Sequence, residues 1–237
     1  MFYCPVEIAM VNGNRILVLD MDGVLVDVTR SYRETIRLVV RHFSGHDPDP
    51  DHIQALKNQG GWNNDWALSH HLVAQAGAQI SYGQVVDCFN RIFLGDGSDG
   101  MIRHERWIAR PGLLERLVNR YRLALFTGRS RPELAVTLRR FSNQAPFDPV
   151  IAAEDVINPK PAPDGLLRIA ALHPGRELWY VGDTVDDARS ARAAGVRFIG
   201  IAAPAAGRHH ELAGLLRTEG ALAVLPDINA LEEVLPK

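Results

Sequence analysis

The chain has 237 residues, 46% of them hydrophobic and 23% charged, with a formal net charge of −2. That length suits one large domain or one domain with an insertion, and the composition is that of a soluble globular protein. The near-neutral balance excludes the basic surface that nucleic acid or an anionic membrane needs, and no apolar run approaches a membrane span.

Residues 1–13 include Glu7 and lack a basic stretch followed by a long apolar core, so no secretory leader is expected. Cys4 and Cys88 are far apart and without metal-binding spacing, which fits a reduced, cytoplasmic protein. Among 26 basic residues only Lys57, Lys160 and Lys237 are lysine. The first strand is expected at 15–22, where the apolar run Ile16 to Leu19 ends in Asp20-Met21-Asp22-Gly23. Side chains two apart on a strand share a face, so Asp20 and Asp22 are expected close together. A helix follows over 30–43, with Ile36, Val39, Val40 and Phe43 as its apolar stripe. Gly45, Pro48 and Pro50 break it. Helical patterns near 52–58, 65–76 and 81–93 come in succession without a strand and read as a small helical unit.

Gly95-Asp96-Gly97-Ser98-Asp99-Gly100 spells G-x-G-x-x-G, but it follows a helical pattern, and its two acids would repel a pyrophosphate. A calcium loop fails too, because Trp107 stands where a closing Glu would fall. The stretch reads as a hinge. Strand and helix then alternate. Helices are expected at 111–119, 131–141, 163–172, 186–194 and 228–235, and strands at 122–126, 150–153, 177–181, 198–202 and 221–225. Such alternation implies a parallel sheet with helices on both faces.

In an open parallel sheet, ligands bind beyond the carboxyl ends of the strands. Asp20 and Asp22, Thr127, Lys160, and Asp183 with Asp186 and Asp187 occupy such ends or lie just past them. Crowded carboxylates repel unless a cation sits between them or one holds a proton. The bland alternative for the first pair is an acidic turn after a strand. Taken together, the inventory fits phosphoryl transfer. One carboxylate can attack phosphorus, a second can protonate the leaving oxygen, and a hydroxyl, backbone amides and an ammonium can hold the phosphoryl oxygens. Hard oxygen ligands suit magnesium.

This constellation resembles the haloacid dehalogenase superfamily, in particular its subfamily I phosphatases with a C1 cap. Asp20-Met21-Asp22-Gly23-Val24-Leu25-Val26-Asp27 is similar to the first motif, Thr127-Gly128 to the second, Lys160-Pro161 to the third, and Gly182-Asp183-Thr184-Val185-Asp186-Asp187 to the fourth. The resemblance implies a Rossmann-like α/β core at 1–28 and 105–237 and a helical cap at 29–104. It implies Asp20 as nucleophile and Asp22 as general acid/base. It implies phosphate binding by Thr127, Gly128 and Lys160. Mg2+ would be held by Asp20, the Asp22 backbone carbonyl and Asp183, with Asp187 supporting it directly or through water. The implied substrate is a small phosphorylated metabolite.

Val24 stands where many members have Thr, and Pro159 where Gly is common before the lysine. Arg129 could add a phosphate contact or be a structural arginine, and Asp186 reads as a helix-start acid. Asp22 favours phosphate esters over dehalogenation, because a halide leaving group needs no proton. Lys57, read as an exposed helix lysine, leaves a phosphonatase with a lysine Schiff base as an alternative. A phosphomutase, or a catalytically silent binding protein of the same fold, are further alternatives. In the cap, Gly60-Gly61-Trp62-Asn63-Asn64-Asp65-Trp66 resembles a specificity loop. If it meets substrate, the tryptophans and Asp65 suit a cationic or ring-bearing ester such as histidinol phosphate; otherwise the tryptophans pack as core. The pairs His70-His71 and His209-His210, and His42 with His46, lack zinc spacing.

Overall fold

The computed structural model describes residues 14–96, 99–141, 146–205 and 207–236. The chain opens with β1 (Arg15–Leu19) and the short β2 (Val26–Asp27). Four helices follow: α1 (Tyr32–Ser44), α2 (Pro50–Gln59), α3 (Asp65–Gln75) and α4 (Tyr82–Leu94). β3 (Arg106–Trp107) then returns antiparallel beside β2, so the helical insertion hangs from a two-stranded ribbon. Next come α5 (Leu113–Val118), β4 (Arg122–Phe126), α6 (Arg131–Arg140), β5 (Val150–Ile151) and α7 (Asp164–Leu172). The chain closes with β6 (Glu177–Gly182), α8 (Val185–Ala194), β7 (Arg197–Ile201), α9 (His209–Thr218) and β8 (Ala223–Leu225). The main sheet runs β5-β4-β1-β6-β7-β8 with parallel pairing throughout. β1 is central, and strand order reverses beside it, which is where such sheets place their ligands.

Period-two alternation explains the layers. Leu17 and Leu19 pack on one face with Leu113, Leu117 and Ile228, while Ile16 and Val18 pack on the other with Phe126, Leu166 and Tyr180. The insertion carries its own core of Ile36, Val39, Val40, Phe89 and Phe93. Local chemistry sets the helix ends. Asp49 caps α2 ahead of Pro50, and Ser81 with Gln84 forms a capping box at α4.

Several sequence expectations shift. The first strand, expected over 15–22, stops at Leu19, because the Met21 carbonyl accepts the N–H groups of Leu25 and Val26 and closes a turn. The strand at 150–153 stops at Ile151, because Asp155 accepts a bond from the Ala152 N–H (2.9 Å) and turns the chain into a 3-10 segment. The last helix is a 3-10 segment, Ile228–Glu233, begun by the Asp227 cap and bounded by Pro236. The helix expected near 52–58 starts earlier, at its proline. Residues 97 and 98 of the expected hinge, and Cys4, lie outside the described residues. Among the described residues, no helix is long and apolar enough to cross a membrane.

Gly23 ties fold to site. Its φ is +71°, and a Cβ there would fall 1.9 Å from Asp183 Oδ2. Gly45 has a similar φ of +70° with nothing within 4 Å of an added Cβ. Gly45→Ala should therefore cost only the left-handed strain, about 1 kcal/mol, while Gly23→Ala should cost at least ~2 kcal/mol more in denaturant unfolding.

Candidate active site

Asp20 extends β1 by one residue, its N–H bonded to the carbonyl of Val181 on β6 (2.9 Å). Thr127 follows β4, and Asp183 follows β6. Lys160 arrives on the loop between β5 and α7. Strands that are far apart in sequence thus bring these side chains to one edge. Lys160 Nζ lies 2.9 Å from Asp20 Oδ1 and 2.8 Å from Asp187 Oδ1. Its side chain is 2% exposed, and the rings of Phe126 and Tyr180 lie beneath it at 4.7 and 5.5 Å. Burial opposes the ammonium, but Asp187 and Asp20 outweigh it and hold the lysine above its ordinary value.

The carboxyls respond to one another. Burial pushes Asp20 well up; Lys160 opposes this, while Asp187, Asp22 and Asp183 add to it. Asp183 is pushed up to about 7, first by burial and then by Asp187, with Arg33 and Lys57 opposing. Asp187 goes down despite its burial, because Lys160, Thr184 and Tyr180 bond to it. Its Oδ1 accepts from Lys160 and from the Tyr180 hydroxyl (2.6 Å), and its Oδ2 from the N–H (3.0 Å) and hydroxyl (2.6 Å) of Thr184. Oxygens of Asp20, Asp183 and Asp187 all lie within 4.8 Å of one another. A hard divalent cation fits this set of oxygen donors, and the mutual repulsion that adds to burial in raising Asp20 and Asp183 is what such an ion would relieve. No histidine belongs to a comparable group among the described residues.

Thr127 is buried, and its hydroxyl accepts the Arg129 N–H (3.1 Å). Asp22 stands beside the cluster with its side chain 30% exposed, ion-paired to Arg129. Arg129 is where the expected phosphate contact is corrected. Its side chain is 0% exposed, and its donors are spent on Asp22, Glu105 and Thr137. Nothing local in residues 127–131 signals that burial.

The cap loop divides its labour. Asn63 hangs over Gly128, its Nδ2 lying 2.8 Å from where a Cβ would sit. Asn64 caps α3 by accepting the Ala67 N–H (3.0 Å). Trp66 packs on Phe89 and bonds Asn90 (3.1 Å), and Trp62 stacks on His71 at 4.6 Å. Asp65 pairs with Lys57. That corrects the exposed-lysine reading, since the Lys57 side chain is 12% exposed. Asp186 does more than start α8: its carboxylate accepts the Gly61 N–H at 2.8 and 3.0 Å, and Arg189 donates to the Gln59 carbonyl (3.3 Å). Gly60 has no room for a Cβ against Arg189. These bonds seat the cap on the core. A cleft of about 870 Å³ opens between them, lined by Gly23, Arg33, Gln54, Asp183, Pro204 and Asp227.

A parallel sheet with four polar clusters at its carboxyl edge and a helical cap inserted after the first strand defines a class of α/β hydrolases. Residues 17–201 match the haloacid dehalogenase-like hydrolase family. The chain belongs to that family. Over 198 residues it is 35% identical to a protein of Phytophthora nicotianae named imidazoleglycerol-phosphate dehydratase, covering 79% of this chain and 43% of that one. It is 35% identical over 82 residues to phosphoglycolate phosphatase of Escherichia coli K12, covering 33% of this chain and 32% of that one. It therefore spans less than half the length of either relative. Among solved structures it resembles a haloacid dehalogenase-like protein of unknown function from Agrobacterium tumefaciens, with TM-score 0.71 at 21% identity, covering 94% and 97% of the two chains. It also resembles a predicted phosphoglycolate phosphatase from Haemophilus somnus, with TM-score 0.71 at 16% identity, covering 95% and 99%. At these identities the structural likenesses establish the fold.

The Gly61–Asp186 bond can be read directly. A backbone N–H bonded to a carboxylate is worth roughly 1.5–3 kcal/mol, so Asp186→Ala should speed hydrogen exchange at the Gly61 amide by at least ~10-fold. Unchanged exchange would show that the cap is seated by other contacts.

Proposed function

We propose that the chain is a magnesium-dependent phosphatase of small organic phosphomonoesters, working through an aspartyl phosphate on Asp20. The observation that carries this reading is the buried Asp20–Lys160–Asp187 cluster with Asp22 and Thr127 beside it. Asp20 is the nucleophile: its Oδ attacks phosphorus as the ester oxygen departs. Asp22 gives that oxygen a proton, then takes one from the water that hydrolyses the aspartyl phosphate. Lys160 and the Thr127 hydroxyl hold phosphoryl oxygens, with the Gly128 backbone amide beside them. Asp20, the Asp22 carbonyl and Asp183 would hold Mg2+, which supplies further positive charge to the phosphoryl oxygens. Asp187 has four lone-pair sites and four protein donors, so we place it behind the metal, anchoring Lys160.

The cap excludes bulk water while Asp20 carries the phosphoryl group, with Asn63 facing the phosphate loop. The Phytophthora relative's name denotes chemistry on imidazoleglycerol phosphate, an imidazole-bearing phosphate ester. Histidinol phosphate, likewise an imidazole-bearing ester, is therefore the first substrate to test, with phosphoglycolate beside it. The panel should release phosphate only with Mg2+, and Asp20→Asn should lose on the order of 10³-fold or more in kcat. Full activity in Asp20→Asn would sink the nucleophile assignment.

Metal binding also has a pH signature. With Asp183 pushed up to about 7, Mg2+ must displace its proton at lower pH. Apparent Mg2+ affinity should fall by about tenfold or more per unit below that value, because the Asp20 carboxyl is raised as well, with proton release seen by calorimetry in two buffers. A pH-independent affinity without proton release would contradict the assignment.

A further inference from the structure

Arg129 lies directly after the Thr127-Gly128 pair, yet its side chain is fully shielded from solvent. Its Nε (2.8 Å) and Nη2 both donate to Asp22 Oδ1, and no described residue donates to Asp22 Oδ2. The same Nη2 lies 2.8 Å from Glu105 Oε1, and Nη1 donates to Thr137 Oγ1 (2.5 Å). Thr137 in turn donates to Glu105 Oε2 (2.7 Å). The guanidinium stands 5.1 Å from the centroid of the Tyr32 ring.

These partners come from distinct places. Asp22 is in the turn after β1, and Tyr32 is the first residue of α1, where the chain enters the cap. Glu105 lies just ahead of β3, where the chain returns. Thr137 is on α6 of the core. One planar cation therefore joins Asp22 to both crossings between core and cap. A guanidinium suits that task because its donors fan out in a fixed plane, which an ammonium cannot match.

We propose that Arg129 is a positioning residue: by holding Asp22 through Oδ1 alone it leaves Oδ2 to exchange the proton with the ester oxygen, and through Glu105 and Tyr32 it makes that placement depend on the cap being seated. The proposal rests on Asp22 being the general acid. Arg129 touches neither phosphate nor leaving group. Its contribution is therefore felt in proportion to how much the departing oxygen needs a proton.

Leaving-group dependence is the test. An alkyl oxygen departs poorly without a proton, whereas 4-nitrophenolate departs readily. We would measure kcat with Mg2+ for the fastest alkyl phosphate of the panel and for 4-nitrophenyl phosphate. The enzymes are the wild type, Asp22→Asn, Arg129→Met, and the double variant Arg129→Met/Glu105→Gln. The double variant removes the buried cation together with one carboxylate, so no lone buried charge at Glu105 compromises folding. The expected result is a loss of about 100-fold on the alkyl ester and under ~10-fold on the aryl ester in Asp22→Asn and in both Arg129 variants, since general acid catalysis contributes about 10²–10⁴-fold. Free guanidinium ion should restore part of the alkyl-ester rate in Arg129→Ala. Equal losses on both esters in the Arg129 variants, or none, with Asp22→Asn still discriminating, would overturn the positioning role and leave the phosphatase reading standing. No discrimination in Asp22→Asn would overturn the acid assignment and the positioning role together.

Discussion

Lys160 and its two carboxylates are the constraint on which the site depends. An ammonium with a 2% exposed side chain is tolerable only because Asp20 and Asp187 lie within 3 Å of it on either side. Removing one partner of such a pair costs roughly 3–5 kcal/mol, because it strands a buried charge. Here it would leave Asp20 and Asp187 repelling each other across an empty space. Asp187 is in turn held by Tyr180 from β6 and by the first turn of α8, so the lysine inherits its position from the sheet and from a helix cap. The result is that Asp20 is fixed at the end of the central strand.

The cluster is short of positive charge by design of its composition. Asp20, Asp22, Asp183 and Asp187 face Lys160 as the one buried lysine among the described residues, while Arg129 is committed to Asp22 and Glu105. Burial raises the Asp20 and Asp183 carboxyls first, and the crowding of carboxylates adds to it. A divalent cation held among them would relieve that crowding by supplying charge. Asp186 and Arg189, which meet the Gly61 N–H and the Gln59 carbonyl, flank Asp187 on α8, so the cap rests beside the acidic cluster.

Much of this was legible from the chain because it is local. Ile16 to Leu19 alternates between the two layers, and Asp20, Thr127 and Asp183 lie at strand ends as the strand pattern predicts. Asp186 in a first helical turn is likewise a local signal, and it holds, whereas Asn64, expected in the specificity loop, caps α3 instead. What escaped depends on tertiary approach. Asp186 meets Gly61 across 125 residues, and Arg129 meets Asp22 across 107. Position after a phosphate motif could not say which way the Arg129 side chain turns. Lys57 looked like an exposed lysine because its partner, Asp65, lies beyond the loop that folds back on α2. Trp62 and Trp66, which sequence left between substrate contact and core, divide their rings between His71 and Phe89 of the cap.

The central claim is that phosphorus becomes covalently bound to Asp20. Rapid quenching during turnover, borohydride reduction and peptide mass spectrometry test it directly, because reduction converts an aspartyl phosphate to homoserine and leaves a free aspartate intact. The account predicts substrate- and Mg2+-dependent conversion at position 20, with Asp22 and Asp183 unmodified. An enzyme that releases phosphate while position 20 stays unmodified, or is modified at another carboxylate, would contradict it.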